Sequence, residues 1–325
     1  MATIALPLPP VSLPTLQPHA TDTVVNCYDV LDLCPAGGVH DFTDGKYLDH
    51  RNDRAAYLAA QSRQADYLLD QLDCRPGERI LDIGCGYGRI LQQAQERELS
   101  AIGITISPTQ AAENQRHELN TLVLNYRDIP HQRQQLPGRV HGIVANGSLE
   151  HFAQLEDALA GRVNDVYSEL FQIARSLLRP GERFVTTAIH LAEVGQADPQ
   201  AIRQTHRAWP RGSFNYHYAN LVEAFGGWYP EPGQLERCAQ GEFTLVAEED
   251  GTHDYFLTSE YWLRQLKWSL VTKPRVWWAL GKKWLHAPRA LNDMLRCLWR
   301  DQSWNWQFRG ENPPMRLYRQ TWQAV

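Results

Sequence analysis

Gly84, Gly86 and Gly88, spaced by single residues in the segment DIGCGYG, stand between an apolar run and a helical pattern. Glycine lets the backbone approach a ligand where a Cβ would clash, and the start of the following helix offers unsatisfied N–H groups. The chemistry implied is the binding of a small polar ligand, and the spacing disfavours two common ones. The dinucleotide pattern G-x-G-x-x-G would need Gly where Arg89 stands, and the ribose-binding acid expected ~20 residues on is replaced by Ile104 and Thr105. No G-x-x-x-x-G-K-[ST] segment occurs, which disfavours nucleotide-triphosphate chemistry. What remains is a ligand with a ribose and a short charged tail but no pyrophosphate. The cysteines, Cys27, Cys34, Cys74, Cys85, Cys238 and Cys297, form no C-x-x-C pair and no His/Cys cluster at zinc spacing. Neither a disulfide framework nor a metal is therefore expected.

A turn of this kind needs a strand before it and a helix after it. RILDIG (Arg79 to Gly84) reads as the strand and YGRILQQAQEREL, through Leu99, as the helix. Upstream, apolar residues at helical spacing predict a helix from about Asp53 to Leu72, stopped by Pro76 and Gly77. Downstream, strands are predicted at Ala101 to Thr105, Thr121 to Leu124, Val140 to Ala145 and Arg183 to Ile189. A helix opening at Pro108 runs to about Asn120, and another spans Leu155 to Leu178. Strands alternating with helices imply an α/β fold, a Rossmann-like, doubly wound and mostly parallel sheet. Glu242 to Glu249 and Met315 to Trp322 alternate like half-exposed strands and predict an antiparallel edge.

The motifs ILDIGCGYG (Ile80 to Gly88), GITISPTQ (Gly103 to Gln110), NYRDIP (Asn125 to Pro130) and NGSLEHF (Asn146 to Phe152) resemble, in order, those of class I S-adenosylmethionine-dependent methyltransferases. More narrowly they are similar to the cyclopropane-fatty-acid synthase and mycolic-acid methyltransferase group, where G-[IL]-T-[IL]-S-x-x-Q and E-H-F/V are distinctive. The likeness covers roughly Thr43 to Trp322. It implies S-adenosyl-L-methionine as cofactor, with Asp82, Gly84 and Gly86 around its methionyl part and Cys85 and Gly88 shaping the loop. Thr105, Ser107 and Gln110 would hold the ribose. Tyr126, Arg127 and Asp128 would flank the adenine, and Asn146 completes the implied set. The group usually has an acid where Arg127 stands.

The resemblance also directs attention to a proton acceptor. Glu150 follows a strand at the carboxyl edge of the predicted sheet, where ligands sit in open α/β folds. In the resembled group the matching Glu helps to hold a bicarbonate that removes the proton. Here the rest of that shell differs: Asp44 stands at the usual cysteine, Thr186 at the usual His of the fifth strand, and Asp254 with Tyr255 at the usual H-Y pair, His253 lying one place earlier. New carboxylates would repel an anion. The expectation is that Glu150, His151 or one of those carboxylates acts directly, with Tyr255 retained; a rearranged shell using His190 or His253 is the alternative.

The acceptor is expected to be apolar, lipid-like or unsaturated, with cyclopropanation of lipid alkenes or an idle cofactor-binding protein as alternatives. Tyr261 to Arg300 holds nine Lys or Arg against one Asp, and residues 262–306 hold eight of the eleven Trp. A helical aromatic cap over the site is the favoured reading of that stretch, and peripheral membrane contact through 261–306 the other. Residues 1–24 read as a disordered Pro-rich tail, 25–75 as a helical lid, 76–190 as the donor-binding unit, and 191–325 as a substrate insertion, cap and closing strands. A chain of 325 residues with 43% hydrophobic and 21% charged residues and net charge -5 is an ordinary globular protein, not a nucleic-acid binder. No apolar run reaches the ~20 residues of a membrane span, and a cytoplasmic location is expected, with a homodimer possible.

Overall fold

A computed structural model of the chain describes Val24, Cys27 and residues 34–325 other than Pro137. The Pro-rich tail and most of residues 25–33 lie outside the described residues. Seven strands build one sheet: β1 (Arg79–Ile83), β2 (Ser100–Thr105), β3 (Thr121–Val123), β4 (Gly142–Asn146), β5 (Arg183–Leu191), β6 (Phe243–Asp250) and β7 (Met315–Ala324). Their order is β3-β2-β1-β4-β5-β7-β6, with the first five parallel and β7 running against both β5 and β6. This is the expected mostly parallel sheet closed by an antiparallel pair.

Alternation along the strands fills both faces. Ile80, Val144 and Val185 pack under α1 (Arg54–Leu72) and α2 (Arg89–Glu96), against Ala65, Leu68, Leu69, Ile90 and Ala94. Their neighbours Leu81, Ile143 and Phe184 point the other way, to Tyr167, Leu170 and Phe171. Asp53 starts α1 by accepting hydrogen bonds from the N–H groups of Ala55 and Ala56 at 2.8 and 3.0 Å. The single helix expected over Leu155 to Leu178 is two, Leu155–Leu159 and Val163–Leu177, because Gly161 (φ 69°) turns the chain between them.

After β5 the chain forms α3 (Phe214–Phe225), then β6, and then a helical run that prolines divide. Pro274 and Pro288 sit at the first turns of successive helices, giving α4 (Thr252–Thr272), α5 (Pro274–His286) and α6 (Pro288–Leu295). A π-helical turn, Arg296–Arg300, follows, and β7 returns the chain to the sheet.

Candidate active site

The glycine turn is bound to β2 through hydrogen bonds from the N–H groups of Gly84 and Cys85 to the Ile104 carbonyl, 2.9 and 3.0 Å. Gly84 has φ 82°, and a Cβ there would lie 2.7 Å from that of Ser148. Gly88 (φ 77°) caps α2, where a Cβ would meet Leu119 at 2.5 Å. Gly84 therefore lets Ser148 pack against the turn, while Gly88 lets α2 pack.

Two cavities, of about 1180 and 690 Å³, adjoin at Gly84, Gly86, Gln110 and His151. In the smaller, Thr105 donates its hydroxyl to Gln110 Oε1 at 2.9 Å, and Tyr126 stacks on Phe152 with centroids 4.3 Å apart. Arg127 lines the same cavity, its Nε donating to Glu169 at 2.9 Å. Ser107 and Asp128 line neither cavity. Ser107 is the N-cap of helix Pro108–Arg116, its Oγ accepting from the Gln110 N–H at 3.3 Å, and Asp128 ends a short turn on Asn125. Cys85 edges the larger cavity beneath Asn114, its thiol pushed up by burial, which suits a packing role rather than a nucleophile.

The larger cavity brings together Asp82, Asn146, Glu150, His151 and Tyr255, far apart in the chain. Asp82 is buried at the carboxyl end of β1, and among the described residues neither carboxylate oxygen has a hydrogen-bond partner. Burial lifts its pKa to about 7. Glu150 is also buried, Oε2 is unpartnered, and burial followed by the neighbouring Asp44 lifts it to about 8. Burial lowers His151 to about 4, so it is a neutral imidazole there. Tyr255 packs edge-on against Phe308 at 4.6 Å, within an aromatic wall that Phe42, Phe225, Trp262 and Trp304 continue. Trp262 Nε1 donates to Tyr57 Oη at 2.7 Å, which ties that wall to α1.

Arg319, on β7 and 0% exposed at its side chain, is the residue that sequence reading missed. Its guanidinium reaches Asp44 at 3.5 Å, Asp254 at 2.9 Å and Glu249 at 3.0 Å, and its Nε donates to Gln64 at 2.7 Å. The carboxylates expected to repel an anion thus share one buried cation, and Asp254, whose Oδ1 also accepts from the Tyr47 N–H, belongs to this scaffold rather than to the cavity wall. Asp44 does line the cavity; burial raises it to about 6 against the pull of Arg319. On β5 the residue facing the cavity is Thr187, which donates to Asn146 Oδ1 at 2.5 Å; Thr186 accepts from Trp322 Nε1 on the other side. His253 is outside, paired with His50 at 3.0 Å, and His190 is buried edge-on to Tyr318 away from the cavity. No partner or motif marks Arg319 in the linear sequence, because its contacts span as many as 275 residues.

This donor set fits S-adenosylmethionine on a structural ground. An ammonium placed at Asp82 would satisfy two buried oxygens that the fold leaves without partners. Residues 48–273 match the model of the mycolic acid cyclopropane synthetase family. The chain belongs to that family. It is accordingly an S-adenosylmethionine-dependent transferase. It is 26% identical to cyclopropane mycolic acid synthase 1 of Mycobacterium tuberculosis over 219 residues, 64% of this chain and 69% of the relative. An O-methyltransferase of Pyrenophora dematioidea is 32% identical over 197 residues, 58% of this chain and 68% of that one. The crystal structure of mycolic acid cyclopropane synthase CmaA1 complexed with SAH and CTAB superposes with TM-score 0.69 at 21% identity, covering 95% of this chain and 99% of the other, and shares the fold.

Proposed function

We propose that the protein transfers a methyl-derived carbon from S-adenosylmethionine to an apolar, lipid-like or unsaturated acceptor, and that Glu150 receives the acceptor's proton. The observation that carries this reading is one cavity holding two under-partnered buried carboxylates, Asp82 and Glu150, beside an aromatic wall. Asp82 would hold the donor's ammonium, Thr105 and Gln110 its ribose, and Tyr126 with Phe152 its base. The donor supplies an electrophilic methyl group on a sulfonium.

The chain's own residues do the rest. Phe42, Phe225, Tyr255, Trp262 and Trp304 orient an apolar acceptor, exclude water, and present ring faces to positive charge developing on it. Glu150 Oε2 accepts the proton, and a nearby cation favours the ionised carboxylate that this requires. Asn146, held by Thr187, and Asp44, held by Arg319, keep that end of the cavity in register. The names of the mycobacterial relatives favour a second reading, closure of a cyclopropane ring on a lipid alkene, which draws on the same proton acceptor.

The test is incubation of the protein with methyl-labelled donor and a total lipid extract, followed by mass spectrometry. Label in a product one methylene unit heavier is the expected result, independent of added bicarbonate. Tight donor binding by calorimetry with no labelled product from any extract would leave only a cofactor-binding protein. A strict requirement for bicarbonate would remove Glu150 from the role assigned to it.

A further inference from the structure

Six of the eight tryptophans in residues 262–306 divide into two populations. Trp262 and Trp304 face the cavity, whereas Trp268, Trp277, Trp278 and Trp284 are 62, 61, 65 and 54% exposed, with Val271 at 83% and Leu285 at 80%. Large apolar side chains scattered singly over a surface need no explanation, but these lie together. On α5, Trp277, Trp278, Gly281, Trp284 and Leu285 recur at i, i+1, i+4, i+7 and i+8, which is one helical face, while buried Val276 faces inward. On α4, Arg264, Lys267, Trp268 and Val271 recur at i, i+3, i+4 and i+7 and are all exposed. Trp277 Nε1 donates to the Leu270 carbonyl at 2.7 Å, which ties the start of α5 to the last turn of α4.

Charge chooses the partner. From Tyr261 to Asn292 there are seven Lys or Arg and no Asp or Glu, in a chain whose net charge is -5. Lys282 lies over the Trp278 ring at 3.5 Å, so cation and indole occupy the same level of the surface. Indole rings amid lysines and arginines match the headgroup layer of an anionic bilayer, where rings sit at the interface and cations meet phosphate. Among the described residues no helix is long and apolar enough to cross a membrane. A surface depression lined by Arg264, Lys267, Trp268 and Val271, with Glu260 paired to Arg309 at 2.6 Å on its rim, also includes Leu263, and Leu263 lines the active-site cavity from within. α4 is therefore the partition between this face and the acceptor cavity.

We infer that the exposed α4–α5 face is a docking surface for an anionic lipid bilayer, holding the protein flat on the membrane with Leu263 between lipid and cavity. This goes beyond the proposed reaction, and its test reads vesicle binding rather than turnover. The full chain is co-sedimented with phosphatidylcholine vesicles and with vesicles carrying about one-third phosphatidylglycerol, at low and high salt. Binding to the anionic vesicles that weakens steeply with salt is expected. The variant Trp277→Ala/Trp278→Ala/Trp284→Ala should bind about tenfold or more weakly, as should Lys267→Glu/Lys282→Glu, a pair of exposed positions that leaves the apolar face intact. Donor affinity by calorimetry reports that each variant is folded. Failure of the wild type to bind anionic vesicles at low salt would overturn the inference, as would undiminished binding by both variants. So would a wild-type dimer in sedimentation velocity that the triple variant converts to monomer, since the face would then be covered by a second copy.

Discussion

Asp82 and Asp44 are both buried aspartates on the wall of one cavity, yet they are held differently. Among the described residues Asp82 has no hydrogen-bond partner on either oxygen, whereas Asp44 is held by Arg319 and Gln64. A buried carboxylate that the fold satisfies is part of the frame; one that it leaves unsatisfied awaits a cation from outside. Glu150, with Oε2 unpartnered, belongs with Asp82.

Three substitutions, read in four measurements, can sharpen or break that division. The largest effect is expected at Glu150→Gln, where turnover should fall by about 10²–10⁴-fold with donor affinity unchanged in calorimetry. Normal turnover would move Glu150 to the side of the frame. Next, Arg319→Met leaves Asp44, Asp254 and Glu249 without their common cation, and chemical denaturation should register a loss of about 3–5 kcal/mol. A neutral result would mean that this network does not support the fold.

Asp82→Asn should weaken donor binding by about ten- to a hundredfold while leaving the melting temperature unchanged or higher. Its pH dependence follows from the shift: the carboxyl is protonated below about 7 and must ionise to meet an ammonium. Wild-type affinity should therefore fall as pH drops below about 7, and that dependence should vanish in Asp82→Asn. The last effect concerns stability. The Glu150 pKa is raised in the folded state from 4.5 to about 8, so the folded protein holds more protons than the unfolded chain between those values. Stability then declines as pH rises through that window. Glu150→Gln should gain melting temperature over the wild type at pH 8 and little at pH 5. An equal difference at both would mean that Glu150 is not desolvated.

The donor half was readable because its elements are local. A five-residue apolar strand, a glycine turn and a helix follow one another from Arg79 to Glu96, and each next strand arrives with its own short-range signal. The helix boundary missed near Gly161 shows the limit of periodicity, since the apolar pattern continues across a turn that a single positive φ imposes. The acceptor half was less readable. Asp44, Glu150, Tyr255 and Trp304 come from four distant segments, and a residue such as Thr187 is distinguished from Thr186 only by which face of β5 it occupies.

Residue order alone carried the alternation of strands and helices, the glycine turn and the exclusion of a dinucleotide, because these depend on periods and spacings within a few residues. Tertiary structure decided which carboxylates are paired with a cation. It also sorted the tryptophans into those that line a cavity and those that face out. Both outcomes rest on desolvation and on ion pairs between residues up to 275 positions apart, and neither leaves a mark in local sequence.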